Sequence, residues 1–215
     1  MGYSHKIIYG IGINDLEYSV NIGGRGHQER CPFYLKWKDL IRRCYYDNFK
    51  ELKKSYLEAT TCESWIRASI FKSWMEKQDW EGNHLDKDLL VPGNKIYSPE
   101  TCVFIPGFLN QAIKPPCTDP HALPVGVKER VSKAGVKTYY TAKIHTGNFI
   151  YKSKTFDNIE EAHLNWQNTK LMYFYYNREK YIATNRADLK VLNALDRIIQ
   201  VLKDDIFYRR ITTSW

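Results

Sequence analysis

Leu85-Asp86-Lys87-Asp88-Leu89-Leu90-Val91-Pro92-Gly93-Asn94-Lys95-Ile96-Tyr97-Ser98-Pro99-Glu100-Thr101-Cys102-Val103-Phe104 is the stretch that decides the fold of the first half of the chain. The residues from Trp80 to Leu90 read as a lead into a short strand, and Pro92-Gly93-Asn94 and Tyr97-Ser98-Pro99-Glu100-Thr101 are turn chemistry. Cys102–Ile105 is an apolar strand, and Pro106 opens a short helix through Asn110. This order of strand, loop, strand and helix puts Asp86 and Asp88 near one strand end, Asn94 in the loop and Asn110 on the helix. Carboxylate and amide oxygens so placed suit phosphodiester cleavage, which needs a divalent ion to offset developing charge and a base to deprotonate water.

Upstream, Phe33, Trp37, Leu40, Ile41, Cys44 and Tyr45 recur at helical spacing behind Pro32, predicting a helix over about 33–46 with Arg42 and Arg43 at its C-terminal end, where the dipole favours cations. Trp65, Ile66, Ile70, Phe71, Trp74 and Met75 form a second apolar helical face, with Glu63 and Ser64 suited to its first turn or cap. Residues 1–30 are glycine-rich and aperiodic, an extended arm with one strand at Lys6–Tyr9.

Downstream, Pro115, Pro116, Pro120 and Pro124 interrupt any helix or central strand, which makes 113–123 a linker. Strands follow at about 125–131, 138–145 and 148–155, then helices from Ile159 to about Tyr181 and from Ala187 to Ile206. Strict alternation puts Tyr140, Ala142 and Ile144 on one face of the middle strand and Tyr139, Thr141, Lys143 and His145 on the other. Lys152 and Lys154 alternate in the same way on the third strand, with a possible bulge before Phe156. Between Val125 and Lys154 stand seven basic residues, Lys128, Arg130, Lys133, Lys137, Lys143, Lys152 and Lys154, against one acid, Glu129. Such a concentrated positive face suits a polyanion. Leu192, Leu195, Ile199, Leu202 and Ile206 give the last helix a narrow apolar seam, available for folding back on the preceding helix or for a homodimer.

The words Trp80-Glu81-Gly82, Leu85-Asp86-Lys87-Asp88-Leu89, Gly93-Asn94-Lys95-x-Tyr97-Ser98-Pro99-Glu100-Thr101-Cys102-Val103-Phe104 and Asn110 resemble the HNH, or His-Me finger, endonucleases, particularly the free-standing proteins of tailed bacteriophages. Gly12-x-Asn14-Asp15, Cys31-Pro32-x-Tyr34, Trp37-x-x-Leu40 and Arg43-Cys44-Tyr45 look like the same group. The resemblance implies Asp86 and Asn110 as metal ligands and Asn94 as the residue that holds the loop. It departs at Lys87, where many HNH enzymes have the general-base histidine; His84, two residues before Asp86 on the same strand face, is the alternative base. Pro124-Val125-Gly126-Val127, Tyr140-x-Ala142-x-Ile144 and Thr155-Phe156-Asp157-Asn158-x-Glu160-Glu161-Ala162, followed by Trp166 and Lys170, look like the Apetala/ERF-type DNA-binding domain. That resemblance implies three antiparallel strands in the major groove, backed by one helix. Contacts would come from Lys128, Arg130, Tyr139, Thr141, Lys143, His145, Lys152 and Lys154, the last standing where the family commonly has Gly.

These readings predict an α+β protein: an HNH-like ββα module within 1–112, the linker at 113–123, a three-stranded antiparallel sheet backed by a helix within 124–184, and a C-terminal helix and tail at 185–215. The implied function is sequence-directed DNA cleavage of the homing type with Mg2+ or Mn2+, on double-stranded DNA. The alternative is a nuclease-derived DNA binder, such as a transcriptional repressor, that no longer cuts. A net charge of +8 and a pI near 9.1 accord with a polyanionic partner without identifying it. Mean hydropathy of -0.52 and the lack of any run near the roughly 18 apolar residues of a spanning helix exclude membrane insertion by helices. The start, Met1-Gly2-Tyr3-Ser4-His5-Lys6, carries neither a myristoylation signal nor a signal-peptide core, so the expected place is the cytoplasm of an infected bacterial host. Cys31, Cys44, Cys62, Cys102 and Cys117 are five, unpaired by spacing and without a C-x-x-C knuckle, so reduced core thiols rather than disulfides or a structural zinc are expected.

Overall fold

A computed structural model describes residues 6–22, 30–114, 123–133, 135–144 and 154–215. The chain is mixed helix and strand with small sheets, and divides into two units, Met1–Ile105 and Pro106–Trp215. The predicted Cys117, His145 and Lys152, and the third strand up to residue 153, lie outside the described residues.

In the first unit β1 (Lys6–Ile8) and β2 (Gly12–Asn14) form an antiparallel hairpin, Ile7 opposite Ile13. Helix α1 (Pro32–Tyr45) begins on Pro32, whose missing N–H costs nothing in a first turn. Tyr34, Trp37, Leu40, Ile41 and Cys44 are buried on its apolar face. A short helix α2 (Asp47–Leu52) and a 3₁₀ turn (Lys54–Tyr56) lead to β3 (Thr60–Thr61).

The second predicted helix is broken. A 3₁₀ turn spans Glu63–Ile66, Arg67 is extended and bridges to Ile13, and α3 occupies Ala68–Met75. Asp15, from the arm, explains the break: its carboxylate accepts the Ser69 amide at 2.9 Å and the Ser69 hydroxyl at 2.8 Å. A carboxylate 54 residues away thereby satisfies an orphan donor of the first turn of α3. Partial burial pushes that carboxyl upward, but the Ser69 donors hold it below the usual range. Around Trp65, edge-on to Phe71 and 4.5 Å from the Trp74 ring centroid, the two segments build the centre of the core. Trp37 donates Nε1–H to the Trp65 carbonyl at 2.9 Å.

Strand β4 (Asn83–Asp86) pairs with β6 (Val103–Pro106), while β5 (Ile96–Tyr97), in the loop between them, runs parallel to β3. Cys31, Cys44 and Cys102 are buried thiols and Cys62 half-buried, and burial pushes Cys44 and Cys102 up to about 12.

The second unit begins with α4 (Gly107–Ala112), so the division falls at Pro106 and not in the predicted 113–123 linker. The cause lies at the C-terminal end of α4. The Ala112 carbonyl accepts Lys170 Nζ at 2.9 Å, and the Ile113 carbonyl accepts Trp215 Nε1 at 2.9 Å. These contacts satisfy carbonyls that a helix end leaves open. Lys170 is buried against the Tyr173, Phe174 and Trp215 rings, and burial pulls its amine down to about 8.

β7 (Val127–Val131), β8 (Thr138–Ala142) and β9 (Thr155–Phe156) form an antiparallel sheet in that order. Helix α5 (Ile159–Ile182) packs across all three strands. It starts as a capped helix should: Asn158 Oδ1 accepts the Glu161 amide at 2.8 Å, and Glu160 and Glu161 occupy the first turn. Ala162 is fully buried, the small residue that allows close approach. In α6 (Leu189–Phe207) the seam is spent internally: Leu195, Ile199 and Leu202 are buried, and α6 packs on α5, so a homodimer through this seam would first have to expose it. No described helix is long and apolar enough to cross a membrane.

The tail returns to α5 through buried polar groups. His163 Nδ1 lies 3.1 Å from the Val125 carbonyl, and Nε2 accepts the Thr212 amide at 3.1 Å, which requires the neutral Nδ1–H tautomer. Burial holds this imidazole below its usual range, with the Val125 carbonyl and Asp205 opposing in part. A histidine whose folded pKa lies below its unfolded value of about 6.5 contributes its full stability above that value and loses it as pH falls. The thermal midpoint of the second unit is therefore expected to drop between pH 7 and lower pH, and His163→Gln to flatten that dependence, as followed by calorimetry.

Candidate catalytic hairpin and nucleic-acid interface

Asp86 ends β4 and turns the chain. Its Oδ1 accepts the amides of Asp88 at 2.9 Å and Leu89 at 2.7 Å, an Asx turn that leaves Oδ2 without a hydrogen-bond partner among the described residues. Burial raises this half-buried carboxyl above the usual range, against the two amides and Lys87.

Asn94 ties the loop to itself. Its Nδ2 donates to the Lys87 carbonyl at 2.9 Å and the Ile96 carbonyl at 2.7 Å, and its Oδ1 accepts the Ile96 amide at 3.1 Å. One side chain thus satisfies three backbone groups and closes the loop on itself. Asn94→Asp would set a carboxylate oxygen against two carbonyls, and is expected to lower stability by about 2–3 kcal/mol, more than Asn94→Ala, in denaturant titrations.

Lys87 points inward. It is buried, donates Nζ to the Asn94 carbonyl at 2.7 Å, pairs with Asp88, and lies over the Tyr97 ring. In each of these contacts the side chain is the donor, so Lys87 acts here as a strut of the loop. Asp88 is correspondingly the partner of Lys87. Asn110 is half-buried on α4, in the second unit, whereas Asp86 belongs to the first.

His84 is exposed on β4 and faces α1, where Lys36, Asp39, Leu40 and Arg43 share one side and close, with His84 and Leu85, a cleft of about 50 Å³. Partial burial, then the charges of Lys36 and Arg43, hold the imidazole below its usual range. At neutral pH it is therefore uncharged, with a lone pair able to take a proton. Lys36, Asp39 and Arg43 were not singled out from the sequence as site residues. Their spacing of three and four along α1 is the signal that places them together, and the helix-dipole reading of Arg43 concealed it.

A divalent ion such as Mg2+ takes oxygen ligands and keeps several waters, held by one or two carboxylates. Asp86 Oδ2 fits such a largely hydrated ion. Among the described residues no group of three His, Cys, Asp or Glu side chains is arranged as a closed metal cage.

On the sheet, the register Lys128 opposite Thr141 and Arg130 opposite Tyr139 brings those four residues to one face, and Thr141 opposite Thr155 adds β9 to it. The other face carries Val127, Tyr140, Ala142 and Phe156, with Val127 and Ala142 buried on the side that α5 covers. Lys143 continues the first face beyond β8 and is exposed, its amide bonded to the Gly126 carbonyl. Lys128, Arg130 and Lys143 form no ion pair among the described residues, whereas Lys137 pairs with Asp157 at 2.8 Å. Lys154 is exposed but lies one residue outside β9; Thr155, not Lys154, takes the paired position on the basic face, because the register follows Phe156 into the helix side.

No family model, curated protein or solved structure matches this chain.

Proposed function

We propose that the protein is a sequence-directed, metal-dependent DNA endonuclease of the phage HNH homing type, acting on double-stranded DNA in the cytoplasm of an infected bacterium. The observation that carries the reading is the β7–β8 register. It gathers Lys128, Arg130, Tyr139 and Thr141 on a face that α5 leaves open, with cations free to meet phosphates and side chains able to reach base edges. Asp86 Oδ2 is the assigned ligand of Mg2+ or Mn2+. Such an ion, when bound, would neutralise charge developing on the phosphate. His84, neutral at physiological pH, is the assigned general base. Lys87 and Asn94 hold the loop that carries Asp86.

The test is incubation of the purified chain with phage genomic DNA and Mg2+ or Mn2+, against an EDTA control. Asp86→Asn is expected to reduce cleavage by about 100-fold or more, with metal-free DNA affinity unchanged within about twofold. His84→Ala should reduce it on the order of 100-fold.

The buried Lys87 ammonium favours a second reading, a DNA binder of the repressor kind that no longer cuts. Tight binding to one site, without cleavage of any DNA by either ion, would put that reading in place of the first.

A further inference from the structure

Lys36, Asp39, Leu40 and Arg43 recur at i, i+3, i+4 and i+7, which stacks them along one side of α1 next to β4. The cleft they form with His84 and Leu85, about 50 Å³, holds roughly three or four waters or one tetrahedral oxyanion. Its charge is one-sided. Both oxygens of Asp39 are already taken, Oδ1 by Arg42 at 2.5 Å and Oδ2 by Arg43 at 2.6 Å. Two cations, Lys36 and Arg43, therefore line the cleft against one carboxylate, Asp39, a local sum of +1.

Lys36 forms no ion pair among the described residues. Its Nζ spends one donor on the Asn83 carbonyl at 2.7 Å, which anchors the ammonium at β4 and leaves two donors. Burial, and then the charge of Arg43, pull its amine below the usual range, with Asp39 opposing in part, so the two cations still repel each other across a partly desolvated space. An anion between them relieves that repulsion. Leu40 and Leu85 contribute apolar wall, which leaves the polar contacts to the cationic rim.

We propose that this cleft is a phosphate subsite that takes one backbone phosphate of a DNA strand between Lys36 and Arg43, beside His84. The occupant's identity rests on DNA being the partner; the affinity for a phosphate group does not. The subsite would hold a strand at β4 through contacts that carry no sequence information, leaving readout to the sheet.

The full chain is titrated with inorganic phosphate while backbone amide resonances are followed by NMR, and its affinity for duplex DNA is measured over a range of salt. Saturable shifts confined to the amides of residues 36–43 and 83–85 are expected. Lys36→Gln, which leaves the Asp39 pairs intact, should weaken phosphate binding about fivefold to tenfold. It should also lower the slope of log affinity against log salt by about 0.9, the share of one phosphate contact. Lys36→Arg should restore that slope and serves in place of Lys36→Gln if the latter fails to fold: a slope altered by Lys36→Arg as well counts against the subsite. Absence of saturable shifts, or an unchanged slope in Lys36→Gln, overturns it. Phosphate shifts without any DNA binding keep the anion site and reject DNA as the partner. DNA binding that is abolished by changes on the sheet and indifferent to Lys36→Gln keeps the proposed function and rejects the subsite.

Discussion

Gly126→Ala is expected to lower the stability of the second unit by about 2–4 kcal/mol. Gly126 has φ +80°, a conformation that costs an L-residue on the order of 1 kcal/mol. A Cβ there would also stand 2.0 Å from Cδ1 and 2.3 Å from Cγ of Trp166, well inside van der Waals contact. The indole has nowhere to go cheaply. It stacks between His163, centroids 5.5 Å apart, and Trp215, 6.5 Å, and Trp215 in turn covers Lys170. Moving it disturbs the neutral imidazole that holds Thr212 and the indole N–H that caps α4. For a unit of this size the thermal midpoint should fall on the order of 10–20 °C. Calorimetry resolves the effect if the first unit melts separately, and its transition should stay where it is. A variant that melts like wild type would mean that the close approach of β7 to α5 is not as described.

The triple variant Lys128→Ala, Arg130→Ala, Lys143→Ala is expected to lose about 100-fold to 1000-fold in affinity for duplex DNA at moderate salt. The salt slope should fall by about 2.5–3, close to three phosphate contacts at roughly 0.9 each. All three side chains belong to the open face by register or by alternation, and none is neutralised by a carboxylate among the described residues. Lys137 is the internal control: it is equally exposed in sequence terms, but its charge is already paired with Asp157, so Lys137→Ala should change the slope by well under one contact. Tyr139→Ala, between the cations, should instead reduce discrimination between cognate and unrelated duplexes, because a residue reaching base edges carries sequence information. Equal losses from the triple variant and from Lys137→Ala would mean that binding follows net charge and not the sheet.

The α5 start illustrates what local chemistry makes legible. Asn158, Glu160, Glu161 and Ala162 declare a cap, a first turn and a packing contact within five residues, and the helix runs Ile159–Ile182 where 159–181 was predicted. α1, opened by Pro32, is of the same kind. The site is less evenly readable. Asn94 as the loop-holding residue came only with the HNH resemblance, whereas the alternation of β8 by itself separated Tyr139 and Thr141 from Tyr140 and Ala142 before any partner strand was known. The orientation of Lys87 was not accessible, since nothing in Asp86-Lys87-Asp88 tells whether a long side chain lies over Tyr97 or in solvent. Nor was the α1–β4 cleft, whose residues lie more than 40 positions apart.

By itself the sequence determined the elements whose signals are local: the apolar faces of α1 and α6, the turn at Pro92-Gly93-Asn94, and the face on which each residue of a strand must lie. These follow from backbone sterics and side-chain periodicity, which act within a few residues. Tertiary structure decided the rest. The arm broke the second helix at Arg67, Asp15 capping Ser69 and Ile13 bridging to Arg67. Lys170 and Trp215 drew α4 into the second unit by satisfying its last carbonyls, which moved the boundary to Pro106. In both places a buried or half-buried polar group found its partner 50 residues or more away, and such a partner has no period or spacing for a sequence to display. Once the backbone is out of water its donors and acceptors must be paired, and which groups pair them is settled only when the chain has packed.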